Sequence, residues 1–290
     1  MRTAKWEGVG RPAPQSLTGA RLLLHWAAQV PAAVGHTFLA PTPDDSQSTL
    51  QWDPAHRMLV GQPVGTKRPV RAALDLSSLS LVLLETGDER LADFTLDGKT
   101  LDEAYEWMGA VASRFSEGVE GPLQRRDYDL PSHGVATGAE FTRGPSAEFE
   151  ECTRWYANAH HALSRVKAKA VNASPVRCWP HHFDIATLIT LDSEREDEQS
   201  RSINVGLSPG DGNYDEPYFY VNPWPQPEEP VLSALAAGGH WHTEGWLGAV
   251  LPASDLVAAG SEAGQQADRV DRFLSSALAA ATRMLMPPAR

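Results

Sequence analysis

The chain has 290 residues, 42% of them hydrophobic, with a formal net charge of −12, enough length for one large domain or two small ones. The acidic balance excludes a nucleic-acid partner, which requires a basic face, and disfavours an anionic membrane surface. With no secretory signal at the start, no run of about eighteen apolar residues and only Cys152 and Cys178 as thiols, the expectation is a cytoplasmic protein without a membrane partner.

Residues 1–15 are rich in Pro and Gly and read as a flexible N-terminal arm. A helix is expected over residues 17–30, stopped by Pro31. Extended segments follow at 48–52, 56–64, 70–76, 79–85 and 93–96, separated by turn-rich stretches such as PTPDD and VGTKRP. In TLDE, Thr100 is an N-cap with Glu103 three residues on, a capping box. Behind it Leu101, Tyr105, Met108, Ala112 and Phe115 keep helical spacing.

Residues 117–145 read as loop and make the best internal boundary. Ser146 opens a second helix, striped by Phe149, Cys152, Tyr156, Ala159, Leu163 and Val166. Four strands are expected at 176–191, 202–207, 218–221 and 240–251, and a helix from Ser261 closes the chain. The acidic run at 194–198 belongs in a solvated hairpin loop. Pro223, after Asn222, should end the third of these strands at an edge. No helices separate the strands within either lobe, so the fold class expected is α+β: antiparallel sheets with helices on one face. The organisation is an arm at 1–15 and one domain at 16–290. That domain has two lobes, about 16–130 and 146–290, as two similar helix–strands–helix halves.

Four segments come in a telling order: SPVRCWPHHFDIA from Ser174, GLSPGD from Gly206, EPYFYVNPWPQP from Glu216 and AVLPASDLV from Ala249. Together with the flanking helices they resemble a conserved bacterial family of uncharacterised proteins, a domain of unknown function. Its pattern runs S-P-V, a Trp near F-D-L-A, G-F-x-P-G, F-Y-x-Y-x-Y-P-x-P and a late L-P. The resemblance spans roughly residues 20–286 and implies one cooperative unit. It implies architecture, not chemistry. His181 and His182 stand where the family pattern has small residues.

Two stretches carry the chemical signal, WPHHFDIA and GGHWHTEG. As strands, they put His182, Asp184 and Ala186 on one face, and His240, His242 and Glu244 on one face. If the two strands neighbour each other, His182, Asp184, His240 and His242 converge as ligands for Zn²⁺, Mn²⁺ or Fe²⁺. Glu244 is then the base that takes a proton from metal-bound water. That reading is a metal-assisted small-molecule hydrolase or a related enzyme.

Two other readings stand beside it. The histidines are packed and hydrogen-bonded in a core, or they line a metal-free ligand pocket. The pocket alternative is a non-catalytic small-molecule-binding protein with an aromatic cleft, contacting its ligand through Trp179, Tyr218, Tyr220 and Trp241. Asp211, Asn213 and Asp215 have alternate spacing, but the sixth loop position carries Glu216 instead of the Gly a calcium loop needs, so SPGDGNYDE reads as a turn. No nucleophile elbow, phosphate loop or dinucleotide fingerprint occurs.

Overall fold

In the computed structural model, which describes residues 5–192 and 200–286, the first helix, α1 (Thr18–Phe38), runs straight through Pro31. Nearly every residue from Ala20 to Gly35 is buried. That burial outweighs the roughly 3 kcal/mol an interior proline costs. Five short strands follow, β1 (Gln51–Asp53), β2 (Met58–Val60), β3 (Val70–Asp75), β4 (Ser80–Glu85) and β5 (Arg90–Thr95). They pair antiparallel in chain order, a simple meander.

Helix α2 (Leu101–Phe115) starts on the expected capping box: Thr100 Oγ1 accepts the Glu103 N–H, and the Glu103 carboxylate accepts the Thr100 N–H. Both α1 and α2 pack on this sheet. Helix α3 (Ser146–Lys169) follows the long loop, and β6 (Arg177–Trp179) adds a bridge from Cys178 to Leu50. Residues Ser16–Thr153 and Arg177–Phe183 form one compact unit, called here the first.

The second unit comprises Met1–Gln15, Arg154–Val176 and Asp184–Arg290. Its strands are β7 (Asp184–Thr190), β8 (Ser202–Ser208), β9 (Tyr218–Trp224), β10 (His240–His242) and β11 (Gly248–Pro252), followed by α4 (Ala253–Ala258) and α5 (Ala263–Leu285). Their spatial order is β10-β11-β9-β8-β7, every pair antiparallel. Both sheets being antiparallel, with helices packed on them, the fold is α+β. The acidic run at 194–198 lies outside the described residues.

Three expectations change here. The strand expected over 176–191 breaks at residues 180–183: Pro180 lacks a donor, and Phe183 turns the chain at φ +55° while its N–H bonds the Trp179 carbonyl at 2.7 Å. The strand expected over 240–251 is a hairpin, β10 and β11, turning through Gly245 at φ +81°. Strand β9 continues through Pro223 even though it lies between β8 and β11. Its pairing to β11 ends at Val221, so Pro223 falls where that side of the strand is open and its missing N–H costs no bond there.

The arm expected at the N-terminus is instead packed within the second unit. Trp6 and Val9 are buried, and the side chain of Gln266 on α5, fully buried, serves both. It accepts from Val9 N at 3.0 Å and Trp6 Nε1 at 3.3 Å, and donates to the Val9 carbonyl at 3.0 Å. Asn158 on α3 clamps Glu7 the same way, donating to its carbonyl and accepting from its N–H. A Pro/Gly-rich segment cannot pair into a regular element, so side-chain amides satisfy its backbone. Gln266→Ala strands the Val9 amide and carbonyl in the interior, at an expected cost of about 3 kcal/mol in urea unfolding. A change below about 0.5 kcal/mol, the range of ordinary surface substitutions, sinks this account.

Candidate functional site

Register sorts the second sheet into two unlike faces. Ile185, Leu207, Phe219 and Leu251 stand in one row, Val205, Val221, Ala249 and Trp241 in another. This apolar face takes α5 and the rings of Trp6 and Trp155, whose centroids lie 6.2 and 6.4 Å from Phe219. The opposite face carries Asp184, Ser208, Tyr218, Tyr220, Asn204, Asn222, His240 and His242. The same register puts Ala186, Leu188, Val250 and Pro252 there as well, so this face mixes polar with apolar groups.

Two phenol–carboxylate pairs anchor it. Tyr220 is buried and its hydroxyl donates to Asp184; Tyr218 donates to Asp211 Oδ2 at 2.5 Å. Burial, reinforced by the facing carboxylate, pushes both phenol pKa values up, so both act as donors. Gly206, opposite Tyr220, leaves the space for its ring: a Cβ there would lie 2.5 Å from the hydroxyl oxygen. Asp211 also accepts the backbone N–H of Asn213 at 2.7 Å and of Tyr214 at 3.2 Å, so SPGDGNYDE is the expected turn.

That turn sets Tyr214 over the edge hairpin. Its hydroxyl lies 3.1 Å from His240 Nε2 and 3.1 Å from His242 Nδ1. On the far side of its ring, His242 Nε2 meets the Glu244 backbone carbonyl at 2.7 Å. A carbonyl only accepts, so His242 Nε2 carries the proton, and in the neutral ring Nδ1 offers its lone pair to Tyr214. Tyr214 has one proton to give, and His242 takes it; His240 Nε2–H then donates to the phenol oxygen. The chain is directed, His240 to Tyr214 to His242 to the Glu244 carbonyl. Burial and the Asp211 carboxylate raise the Tyr214 pKa. Trp246 stacks on His242 at 4.4 Å and holds the ring plane, in space left by Gly248.

Five of the nine residues singled out from the sequence, Asp184, Tyr218, Tyr220, His240 and His242, therefore share one face. The other four do not. Trp241 points to the apolar face and donates its indole N–H to the Ser233 carbonyl at 2.8 Å. Glu244 lies past the end of β10, so strand alternation no longer aims its exposed side chain, and only its backbone touches His242. Trp179 and His182 belong to the first unit, because the turn at 180–183 intervenes. Tyr214 was missed. It sits in a loop, where no periodicity signals which way a ring points.

In the first unit, Pro180 to Phe183 are held by α1. His25 donates from Nε2 to the Pro180 carbonyl at 3.0 Å, Gln29 donates to the same oxygen at 2.7 Å, and Phe183 stacks on His25 at 5.3 Å. His181 is half-buried against His182, Tyr128 and Trp179. Burial, then the neighbouring His182, lowers its pKa to about 4.

His25 is likewise lowered to about 4, chiefly by burial. Above the usual histidine value of 6.5 neither state is protonated and stability is full. As pH falls from about 6.5 to 4 the unfolded chain takes up the proton first, and stability drops. At 1.36 kcal/mol per pH unit the loss at this one site is about 3 kcal/mol. His25→Gln, which donates the same bond without titrating, should make that part of the pH profile shallower in urea unfolding, leaving the share that His181 contributes over the same range. An unchanged profile rules His25 out as its source.

Asp53, His56 and Asp88, also in the first unit, bring ligand atoms within 4.8 Å of one another and could hold a metal ion. Each is already engaged: Asp53 Oδ2 meets His56 Nδ1 at 3.0 Å in the β1–β2 turn, and Asp88 pairs with Arg71. Within the second unit, Asp184, His240 and His242 do not form a carboxylate–imidazole group of that closeness among the described residues. Nor is any described helix long and apolar enough to cross a membrane. No family model, curated protein or solved structure matches the chain.

Proposed function

We propose that the protein is a metal-assisted enzyme acting on a small polar molecule, a hydrolase or a close relative, with one divalent ion held by His240, His242 and Tyr214. What carries this reading is the convergence of two imidazole nitrogens, each 3.1 Å from one phenol oxygen. That spacing is near the roughly 3.3 Å between ligand atoms that bond lengths of about 2.0 Å give around a tetrahedral Zn²⁺. The His242 Nε2–H bond to a backbone carbonyl is the outer-shell contact that metal-ligating histidines use to fix their tautomer. Tyr214 is held as a neutral phenol while no cation faces it. A dication reverses such a bias, as it does for coordinated water, whose pKa falls from 15.7 to about 7 on zinc.

The edge hairpin is open to solvent, His240 being exposed, so a fourth position is left for water or substrate. Two imidazoles and a phenolate suit Zn²⁺ or Fe²⁺ better than Mg²⁺. Glu244, exposed two residues beyond His242, is the candidate base for ion-bound water.

The aromatic-cleft alternative has less support, because its rings are already committed. The Trp241 N–H is bonded to Ser233, Trp179 lies in the first unit with its ring edge-on to His181, and Tyr218 and Tyr220 are buried against carboxylates. The test is elemental analysis for Zn, Mn, Fe and Ni on untagged protein purified without chelator. Near one equivalent of a single metal is expected; none, after incubation with each metal and dialysis, overturns the reading.

A further inference from the structure

The apolar face of the second sheet is not covered evenly. Past the aromatic cluster around Phe219, α3 and α5 leave a cavity of about 240 Å³ above β7 and β8. Its floor is Ile189 and Ile203, and one wall is Leu274 and Leu278, one helical turn apart on α5. The facing ridge is Ala162 and Val166 on α3 and Ala170 just past its end, at intervals of four residues. Two alanines in that ridge are too short to close the gap, which is why the space exists.

The mouth of this slot is charged, and not symmetrically. Arg165 and Lys169 stand on the α3 lip, Asp271 and Ser275 on the α5 lip. Arg165 Nη1 meets Asp271 Oδ2 at 2.7 Å, closing the mouth there with a neutral pair. Lys169, exposed, has no ion-pair partner among the described residues. A greasy floor with an ammonium at its rim that has no ion-pair partner among the described residues suits an amphiphile whose head is anionic. The volume equals about eight waters at roughly 30 Å³ each, below the range of drug-sized sites, so the tail is short.

We propose that the α3–α5 cavity binds a medium-chain aliphatic carboxylate, its tail on Ile189, Ile203, Leu274 and Leu278 and its head at Lys169. The site is remote in kind from the His240–Tyr214–His242 group and does not depend on what that group does. Nothing in it calls for a metal.

The experiment is a calorimetric and NMR titration of the full chain with octanoate, alongside 1-octanol, which has the same tail without the charge. Saturable octanoate binding is expected, at least tenfold tighter than octanol, and weaker at high salt because the rim is exposed. Lys169→Glu, at an exposed position, should weaken octanoate at least tenfold and leave octanol unchanged. Ser275→Trp, also at an exposed position on the lip, should block both ligands while far-UV circular dichroism stays that of the parent. Absence of saturable binding, or full octanoate affinity in Ser275→Trp, overturns the site. Octanol binding as tightly as octanoate overturns the assignment of a carboxylate.

Discussion

Protein carrying His242→Ala is expected to purify without the metal that the parent holds, falling from near one equivalent to a small fraction of it, while remaining folded. The substitution removes one nitrogen ligand and the ring that Trp246 stacks on. Losing any one of three protein ligands costs more than the 10–100-fold that an outer-shell change typically does. The penalty to the fold is small by comparison. His242 is the last residue of a three-residue edge strand, and its lost bond to the Glu244 carbonyl is worth about 1 kcal/mol.

Tyr214→Phe separates the ligand role from the packing role, since it keeps the ring beside Tyr218 and deletes only the oxygen between the imidazoles. It should lower metal affinity by at least tenfold. His56→Ala is the control, because the Asp53–His56–Asp88 group also brings ligand atoms close enough to hold an ion. Metal lost in His56→Ala and kept in His242→Ala would move the ion to the β1–β2 turn and end the proposal for β10. Metal lost in His242→Ala alone upholds it.

Gly206→Ala is expected to cost about 4 kcal/mol, enough to unfold many domains of ordinary stability. The added methyl would sit 2.5 Å from the Tyr220 hydroxyl oxygen and 2.6 Å from the ring carbon bearing it. Tyr220 cannot swing out of the way, because it is buried and its hydroxyl is tied to Asp184. Overpacking of this kind costs roughly 1–3 kcal/mol, and breaking the buried bond to a charged acceptor adds about 1–3 kcal/mol. A double-mutant cycle isolates the cause. In a Tyr220→Ala background the alanine at 206 should be nearly free, giving a coupling above about 2 kcal/mol in urea unfolding. Additive costs would place the penalty in the backbone of β8 instead.

Much of this architecture is legible in the chain. Thr100 and Glu103 announce α2 because a capping box is a local device, closed by hydrogen bonds across three residues. Alternation put Tyr218 with Tyr220 and His240 with His242 on shared faces, since a strand's period of two needs no knowledge of its partner. What alternation could not show is where a strand stops. Nothing in WPHHFDIA marks Phe183 for φ +55°, so His182 and Asp184 read as neighbours on a face they do not share. Nor does spacing reveal that β11 inserts between β9 and β10, or that Tyr214 reaches back over the hairpin. Asp53, His56 and Asp88 were equally hidden: they are brought close by the meander, and sequence distance says nothing of that. Pro31 misled in the other direction, a local penalty overridden by burial along α1.

The second unit is assembled from three separated pieces of chain, and its earliest piece is closed by its last: Trp6 and Val9 wait for Gln266, 260 and 257 residues later. During synthesis at about 5–20 residues per second, the N-terminal segment therefore emerges long before its partner exists. Its Trp6 ring and unpaired backbone are exposed throughout translation of the intervening meander. The first unit is nearly contiguous and lacks only the return of Arg177–Phe183, so it is positioned to fold first on the ribosome, with the second completing only as α5 is released.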